Sequence, residues 1–253
     1  MGKAVLRRME EGICYLSLNR PQRLNAMDPY LLEGLLEGLQ GAAAEGARVV
    51  AIEGVGRAFS AGADLVEFYR AEDTPAFVYR VAKVLNSVIA EIRRTDLPVV
   101  ALVKGAAVGA GFSLALACDL TAASEGSVFN LGYMRVAFSP DGGATLLLPR
   151  LLGLKRSMEL CLLTEDLPAS RAQALGLVNF LFPEEEFEGR SRELLLRLRD
   201  LPPKAVAFTK RLLNDALLPE LEAHMERERQ GVTTLAAEEA FRERLEGFLK
   251  GRS

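Results

Sequence analysis

The stretch AFSAGADL, residues 58–65, places four small residues between a strand-like run and a helix-like run. The run before it, RVVAIEG (48–54), predicts a buried strand, and DLVEFY after it predicts the start of a helix. Small residues at such a turn indicate either tight packing or the close approach of a ligand to the backbone. The sequence around this turn therefore predicts an α/β fold and a possible binding point.

The same arrangement occurs a second time in VKGAAVGAGFSLA, residues 103–115. The first N–H groups of a helix have no intrahelical acceptor, and the positive end of the helix dipole lies there. Two such helix starts that converge would offer two N–H donors to one oxygen, which is the chemistry of an oxyanion hole. Either segment alone is typical of a packing turn, and the pair favours a site.

A third segment, FSPDGGATLLLPR (138–150), contains Asp141 between a proline and two glycines in an apolar neighbourhood. Two interpretations of Asp141 are open from these residues. It could form an ordinary Asp-Gly turn. Alternatively, it could be a carboxylate in a dry pocket, where desolvation would raise its pKa toward that of a useful general base.

The composition excludes several classes of partner. The chain has 253 residues, is 49% hydrophobic and 26% charged, and carries a net charge of -3, so it can bury a core. This near balance of charge argues against nucleic acid or an anionic membrane as partner. The N-terminal residues lack the apolar segment of a signal peptide, and no uncharged apolar run reaches about 18 residues. We therefore expect a cytoplasmic protein without a membrane span.

The reactive residue types exclude several kinds of catalysis. His224 is the only histidine and lies in charged helical sequence, which predicts a solvated or interface residue and no Ser-His-Asp triad. No cluster has metal-ligand spacing, and neither a P-loop nor the G-x-G-x-x-G spacing occurs. Cys14, Cys118 and Cys161 form no CxxC pair and lie in apolar runs, which predicts buried free thiols.

The remaining periodicity predicts an α/β core followed by an all-helical region. Predicted strands cover 13–19, 48–54, 97–105, 119–124 and 177–182. Predicted helices run from Asp28-Pro29 to about residue 44, from Thr74-Pro75 toward Arg94, over 109–120, and within 146–163. Ser170 and Gln173 predict a capping box. We place the core at residues 1–195 and expect the amphipathic helices of residues 196–253 to serve oligomerisation.

The motifs, taken in order, resemble the crotonase superfamily, the enoyl-CoA hydratase/isomerase family. They are ICYLSLNRPQRLNAM, GRAFSAGADL, LPVVALVKGAAVGAGFSLALACDL, the PDGGA segment with LLPRLLG, and LPASRAQALGLVNFLFP. The similarity covers essentially the whole chain. It implies a core of repeated ββα units (the ClpP/crotonase superhelix) with a helical C-terminal region, a trimer or dimer of trimers, and an acyl-CoA thioester as substrate. Coenzyme A enters as part of the substrate, so no separate cofactor is expected.

The resemblance also implies roles for individual residues. The thioester oxygen would be held by the backbone N–H groups of Ala63 and Ala110, the second of which is most often glycine in the family. Phe68 and Phe77 are candidates for the acyl pocket wall, with ordinary helix core as the open alternative. The other predicted substrate-binding and CoA-binding residues are Arg23, Leu24, Ala26, Ala61, Asp64, Leu65, Ser113, Tyr133 and Arg244.

The departures from the family pattern bear on the reaction. Family hydratases use two glutamates, and the matching positions here hold Ser113 and Tyr133. Asp141 occupies the position of the single acidic base of several family isomerases. Its context resembles the β,γ-to-α,β enoyl-CoA isomerases and the ring-epoxide isomerase of phenylacetate degradation. The resemblance thus predicts an acyl-CoA isomerase with Asp141 as proton shuttle. The alternatives are a hydratase that recruits Asp141 or Tyr133, and a non-catalytic acyl-CoA binder; the charge argues against RNA.

Overall fold

The computed structural model describes residues 3–251, which form ten strands and eleven α-helices. The strands are β1 (Val5–Glu10), β2 (Ile13–Leu18), β3 (Val49–Gly54), β4 (Ala58–Ser60), β5 (Val99–Val103), β6 (Ala106–Val108), β7 (Leu120–Ser124), β8 (Val128–Asn130), β9 (Leu167–Pro168) and β10 (Phe180–Phe182). The helices are α1 (Pro29–Ala42), α2 (Leu65–Arg70), α3 (Thr74–Arg94), α4 (Ala110–Ala117), α5 (Ala144–Leu152), α6 (Leu154–Leu163), α7 (Ala169–Ala174), α8 (Phe187–Arg199), α9 (Pro203–Leu217), α10 (Leu221–Leu235) and α11 (Glu239–Lys250). Short 3-10 helices cover Pro21–Arg23 and Tyr133–Val136.

The strands form two sheets through a repeated ββα arrangement. The first sheet has the order β1-β2-β3-β5-β7-β10 and the second has the order β4-β6-β8-β9. In the pairs β3–β4, β5–β6 and β7–β8, the first strand joins the six-stranded sheet, the second joins the four-stranded sheet, and helical structure follows. All pairings are parallel except β1 with β2 and β8 with β9. The predicted fold of repeated ββα units is confirmed.

The six-stranded sheet is covered on both faces, which explains its continuous apolar strands. Along β2, Cys14 and Leu16 point into the main core, whereas Ile13 and Tyr15 point into a smaller core on the other face. Successive side chains of a strand alternate between faces, so both faces must be apolar when both are buried. All five residues of β5 are buried, as predicted for a doubly covered strand.

The predicted cap at Asp28 is confirmed, the long helix α3 is capped by Asp73, just before the predicted start at Thr74, and a third predicted cap is absent. Asp28 Oδ1 accepts a hydrogen bond from the Leu31 N–H at 2.8 Å, and Asp73 Oδ1 accepts one from the Ala76 N–H at 3.0 Å. The predicted capping box at Ser170 is wrong. Helix α7 already begins at Ala169, directly after β9, so Ser170 lies inside the helix and makes no cap hydrogen bond.

The C-terminal helices pack on the core of their own chain. Helix α10 packs along α3, and α11 contacts α2 and the 3-10 helix Tyr133–Val136. Their predicted role in oligomerisation stays a prediction. Cys14 and Cys118 are buried free thiols, while Cys161 is only partly buried, contrary to the prediction. Across residues 3–251, no helix is both long enough and apolar enough to cross a membrane.

Candidate active site

A cavity of about 840 Å³ lies where the two small-residue turns meet the C-terminal helices. The predicted site residues that line it are Arg23, Leu24, Ala26, Ala61, Ala63, Asp64, Leu65, Phe68, Ala110, Tyr133 and Asp141. These residues come from widely separated parts of the sequence, and the fold brings them together around one space.

The two strand-to-helix turns are in direct backbone contact. Strand β4 pairs with β6 in parallel, with Ala58 opposite Ala106. Gly62 has φ +87°, and a Cβ placed on it would lie 2.7 Å from the Val108 carbonyl oxygen and 3.3 Å from the Ala110 nitrogen. Such a position admits only glycine, because a side chain would collide with the neighbouring turn. The small residues of AFSAGADL therefore serve both close packing and access to the backbone.

The N–H groups of Ala63 and Ala110 both lack an acceptor among the residues that the structure describes. Ala63 is held in place by its neighbours: the Met27 N–H donates to the Gly62 carbonyl at 2.7 Å, and the Asp64 N–H donates to the Met27 carbonyl at 2.9 Å. Ala110 is the first residue of α4. Within residues 3–251, neither N–H donates to another protein group. Both line the cavity, so a bound oxygen could accept from both.

The segment before α1 supports the first turn through Asn25, a residue that the sequence reasoning did not assign. Asn25 is fully buried, and its Nδ2 donates to the carbonyls of Val55 and Ala58 at 3.0 and 2.8 Å. The Ser60 hydroxyl donates to the Asn25 carbonyl at 2.8 Å. The only sequence signal for Asn25 was its place in the segment NRPQRLNA (19–26), and no role was predicted for it there.

Asp64 lines the cavity and forms an ion pair with Arg20. Arg20 Nη2 lies 2.9 Å from Asp64 Oδ2, and the Asp64 side chain is almost completely buried. Arg20 also contacts Asp28 at 3.1 Å and donates to the Ala26 carbonyl at 2.6 Å. These contacts give Asp64 a structural part in this wall of the cavity.

Asp141 is the other carboxylate among the described residues of the cavity lining. It lies before Gly142 and Gly143, whose φ angles of +66° and +82° turn the chain into α5. Asp141 is only 9% exposed. Burial raises its pKa to about 7, a hydrogen bond from Tyr133 opposes the rise, and the Glu228 carboxylate adds to it. A carboxyl group with this pKa can both accept and return a proton near neutral pH.

Ser113, Tyr133 and Asp141 form a chain of hydrogen bonds. The Tyr133 hydroxyl donates to Asp141 Oδ1 at 2.7 Å, and its oxygen lies 3.0 Å from Ser113 Oγ. Because the phenol proton points to ionised Asp141, Ser113 is the donor to Tyr133 in that state. Burial raises the pKa of Tyr133 well above its usual value, so the phenol stays neutral. Ser113 is fully buried behind Tyr133 and is not part of the cavity lining, so its predicted contact with substrate stays a prediction.

Two further predicted residues lie outside the cavity lining. Arg244 is exposed on α11, and its predicted place near the CoA phosphates is not supported by this position. Phe77 packs edge-on against Phe68 with the ring centroids 5.8 Å apart, and only Phe68 reaches the cavity. The basic residues that do line the cavity are Arg23, Arg57 and Arg135. Sequence reasoning missed Arg57 and Arg135.

One part of the cavity wall is apolar and comes from distant elements. Helix α3 contributes Val78, Val81 and Leu85, and the C-terminal helices contribute Val232 and Phe248. Periodicity marks such residues as core, and no local signal separates a cavity wall from a filled core.

The comparisons with known proteins agree with this geometry. The family profile described as enoyl-CoA hydratase/isomerase matches residues 8–253. The chain is similar to a protein named probable enoyl-CoA hydratase from Rhodobacter capsulatus, at 33% identity over 96% of this chain and 94% of that protein. It is also similar to the 1,2-epoxyphenylacetyl-CoA isomerase of Escherichia coli, at 30% identity over 100% of this chain and 98% of that one.

Among solved structures, an enoyl-CoA hydratase from Mycobacterium avium subsp. paratuberculosis superposes with a TM-score of 0.89. Its sequence is 34% identical, and the match covers 97% of this chain and 99% of that chain. The matching profile, the relatives and the shared ββα architecture agree over nearly the full length. The chain therefore belongs to the enoyl-CoA hydratase/isomerase family, the crotonase superfamily.

Proposed function

We propose that this protein is an acyl-CoA isomerase that moves a double bond by enolate chemistry, acting on an enoyl-CoA or a related ring-acyl-CoA. The observation that supports the proposal is the environment of Asp141. It is a buried carboxylate on the cavity wall, it has no cationic partner among the described residues, and its pKa is raised to about 7. The other carboxylate of the lining, Asp64, is paired with Arg20.

In the proposed mechanism, Asp141 takes the proton from the carbon next to the thioester carbonyl. The C–H electron pair moves into the carbonyl, and the oxygen of the resulting enolate accepts hydrogen bonds from the N–H groups of Ala63 and Ala110. Each such donor contributes roughly 3 kcal/mol in comparable sites. Protonated Asp141 then returns the proton further along the acyl chain. The proton stays within the substrate, so the reaction needs no water and no cofactor beyond the CoA that the substrate carries.

The hydrogen-bond chain behind Asp141 favours isomerisation over water addition. In family hydratases two glutamates activate and deliver water, and the corresponding side chains here are Ser113 and Tyr133. Neither can take up a proton near neutral pH, because a serine hydroxyl is not basic and Tyr133 stays a neutral phenol. Ser113 and Tyr133 are also hydrogen-bonded to each other, and Tyr133 donates to Asp141. A single carboxylate that can take up and release a proton is sufficient to move that proton between two carbons.

The cavity wall suggests the class of acyl group. Val78, Val81 and Leu85 from α3 and Val232 and Phe248 from the C-terminal helices all line the cavity. The basic residues of the lining, Arg23, Arg57 and Arg135, belong to other elements, and we propose that they meet the CoA phosphates. An apolar acyl chain gains from burial here, whereas a terminal carboxylate would lose its hydration without a partner. We therefore propose an uncharged, apolar acyl group.

The first experiment is to incubate the purified protein with a β,γ-enoyl-CoA and follow ultraviolet absorbance. A rise from the newly conjugated thioester supports isomerisation. Asp141→Asn should then lower kcat by about 10²-fold or more, because the general base is lost, while CoA-ester affinity changes little. Asp96→Asn, at an exposed aspartate paired with Arg211, is the matched control. Full activity in Asp141→Asn would overturn the mechanism.

The second candidate is an enoyl-CoA hydratase with atypical catalytic residues. It is favoured by the name of the relative from Rhodobacter capsulatus, a probable enoyl-CoA hydratase. In this case crotonyl-CoA would be hydrated, with Asp141 or Tyr133 recruited, and the β,γ-enoyl-CoA would not be converted. Binding of both esters without turnover of either would instead indicate a non-catalytic acyl-CoA binder.

We also propose that the protein assembles as a trimer or a dimer of trimers. Helices α6 and α9 expose large apolar side chains, among them Leu154, Leu162, Phe208 and Leu212. Exposed apolar surface on this scale is typical of subunit interfaces. Sedimentation equilibrium would give the mass, and a monomer at micromolar concentration would contradict the proposal.

A further inference from the structure

Glu228 of the C-terminal helix α10 is a buried carboxylate that holds the turn after Asp141. Its Oε2 accepts a hydrogen bond from the Gly143 N–H at 2.7 Å, and its Oε1 accepts one from the Thr145 N–H at 2.9 Å. The Thr145 hydroxyl also donates to Oε1. Glu228 is only 7% exposed. These N–H groups are the unpaired donors at the start of α5, so the carboxylate caps that helix from a distant element.

No lysine or arginine among the described residues forms an ion pair with Glu228. The nearest basic group is His224, whose Nε2 lies 3.8 Å from Oε1. The Thr145 hydroxyl has one proton, which it gives to Glu228, so it accepts from His224 Nε2–H at 2.7 Å. Arg227 donates to His224 Nδ1 at 3.2 Å, which fits the same neutral tautomer. Burial and Arg227 lower the pKa of His224, so it carries no charge at neutral pH.

The hydrogen bonds to Glu228 act at a point where the backbone itself has few conformational restraints. Asp141 is followed by Gly142 and Gly143, both with positive φ, and the two hydrogen bonds to Glu228 begin at Gly143. Two consecutive glycines leave the peptide plane next to a carboxylate poorly defined unless other groups hold it. Glu228 supplies that restraint from 85 residues further along the chain.

The charge of Glu228 also reaches Asp141. Ser113 of α4 and Tyr133 of the 3-10 helix lie beside Asp141, and Thr145 of α5, Cys161 of α6 and His224 of α10 lie beside Glu228. The charges of Arg227, Glu220 and Arg150 act on His224. Burial raises the pKa of Tyr133 well above its usual value and that of Cys161 to about 11. Burial also raises the pKa of Glu228, and its hydrogen bonds from Gly143 and Thr145 oppose that rise. Asp141, with a pKa of about 7, exchanges its proton near neutral pH.

We propose that Glu228 is a positioning residue for the reaction: it fixes the Asp141 turn through the start of α5 and places a second buried carboxylate beside that turn. This inference rests on the proposed function, because it assumes that Asp141 is the proton shuttle. It makes α10 part of the catalytic arrangement as well as part of the cavity wall.

The test compares Glu228→Gln with Glu228→Asp. Glutamine removes the charge and leaves one N–H of the α5 start without an acceptor, so the acid limb of kcat/KM should move to lower pH by about half a unit or more. Its kcat should fall about tenfold as the turn loosens. Aspartate keeps the charge but shortens the reach, so its kcat should fall while the acid limb stays in place. Glu222→Gln, at an exposed α10 residue paired with Arg94, should change neither quantity.

A carboxyl ¹³C NMR titration of Asp141 in the substrate-free protein separates this inference from the proposed function. If the wild-type protein isomerises no substrate, yet Asp141 titrates at lower pH in Glu228→Gln, the function fails and the coupling stands. If the enzyme is an isomerase that needs Asp141, but Glu228→Gln leaves kcat and the titration unchanged, the inference is overturned. Should Glu228→Gln fail to fold, wild-type kcat in Glu228→Asp would overturn it equally.

Discussion

The Asp141 side chain is held in surroundings that oppose its charge. Burial raises its pKa to about 7 from an ordinary value of 3.8, which means that the folded protein binds this proton more tightly than the unfolded chain does. Ionisation of Asp141 therefore costs stability. The cost is absent below about pH 4, grows as the pH rises, and is complete above about pH 7, where it reaches at most ~4 kcal/mol.

Asp141→Asn should accordingly stabilise the protein in a pH-dependent way. The amide has no charge to bury, so the gain in the free energy of unfolding should be about 2–3 kcal/mol larger at pH 8 than at pH 5. Urea unfolding of the variant and the wild-type protein at both pH values measures this difference. A gain of equal size at the two pH values would show that Asp141 titrates normally in the folded protein.

Tyr133→Phe tests the hydrogen bond that lowers the pKa of Asp141. Without the phenol donor the carboxylate is less stabilised, so the acid limb of kcat/KM should move upward by roughly 0.5–1 pH unit. Ser113→Ala removes only the donor behind Tyr133 and should move the limb less, in the same direction. Tyr15→Phe, at a buried tyrosine outside the cavity, should leave the profile in place. An unchanged profile in Tyr133→Phe would remove Tyr133 from the network that tunes Asp141.

At the scale of elements, the two strand-to-helix turns work only as a pair. Strand β4 ends in the turn that carries Ala63, β6 ends in the turn that carries Ala110, and the pairing of β4 with β6 sets their separation. Gly62 is the point of closest approach. The oxyanion site is thus a property of the four-stranded sheet, and neither turn contains it alone.

Two glycine substitutions separate backbone strain from damage to this pair of turns. Gly62 has φ +87° and Gly46 has φ +88°, but only Gly62 has neighbours within contact distance of an added Cβ. Both alanine variants should lose about 1–2 kcal/mol of stability from the unfavourable φ. Gly62→Ala should lose more, because its Cβ would lie 2.7 Å from the Val108 carbonyl oxygen. Gly62→Ala should in addition lower kcat/KM by about 10-fold or more, because Ala63 and Ala110 must shift apart. Equal kinetics in the two variants would contradict the assignment of the oxyanion donors.

At the scale of the whole molecule, a buried lysine joins the helical C-terminal region to the core. Lys210 of α9 is 6% exposed, and its Nζ donates to the carbonyls of Ile92 and Leu97 at 2.7 and 2.9 Å and to Asp119 Oδ2 at 2.6 Å. Arg93 pairs with the other oxygen of Asp119 at 3.0 Å. Lys210 thus supplies hydrogen bonds to acceptors at the end of α3 and just before β5 and β7.

Lys210→Met should therefore destabilise the protein without changing its chemistry. Loss of one partner of a buried ion pair leaves the acceptors of Nζ unsatisfied, and the free energy of unfolding should fall by about 3 kcal/mol. Lys204→Met, at an exposed lysine of the same helix, should cost little. The specific activity of folded Lys210→Met should equal that of wild type, because Lys210 is not part of the cavity lining. A loss below 1 kcal/mol would mean that the C-terminal region is anchored elsewhere.

The sequence by itself determined the features that depend on neighbouring residues. Asp28-Pro29 and Thr74-Pro75 predicted two helix starts, the apolar run of β5 predicted a buried strand, and the small residues of 58–65 and 103–115 predicted the two turns. Caps, strand alternation and glycine geometry act over a few residues, which is why the sequence shows them. The predicted capping box at Ser170 was wrong, because the start of α7 depends on where β9 ends. The family likeness extended these local predictions to Ala63, Ala110 and Asp141.

The tertiary structure alone decided which residues surround the cavity and how they are tuned. Val232, Phe248 and Glu228 come from helices that the sequence marked only as amphipathic. The hydrogen bond between Gly143 and Glu228 joins residues that are 85 positions apart in the chain. The fold also places Ser113, a predicted substrate-binding residue, in a fully buried position behind Tyr133. Burial and distant charges set the pKa of Asp141, and both are sums over the folded neighbourhood that no local pattern contains.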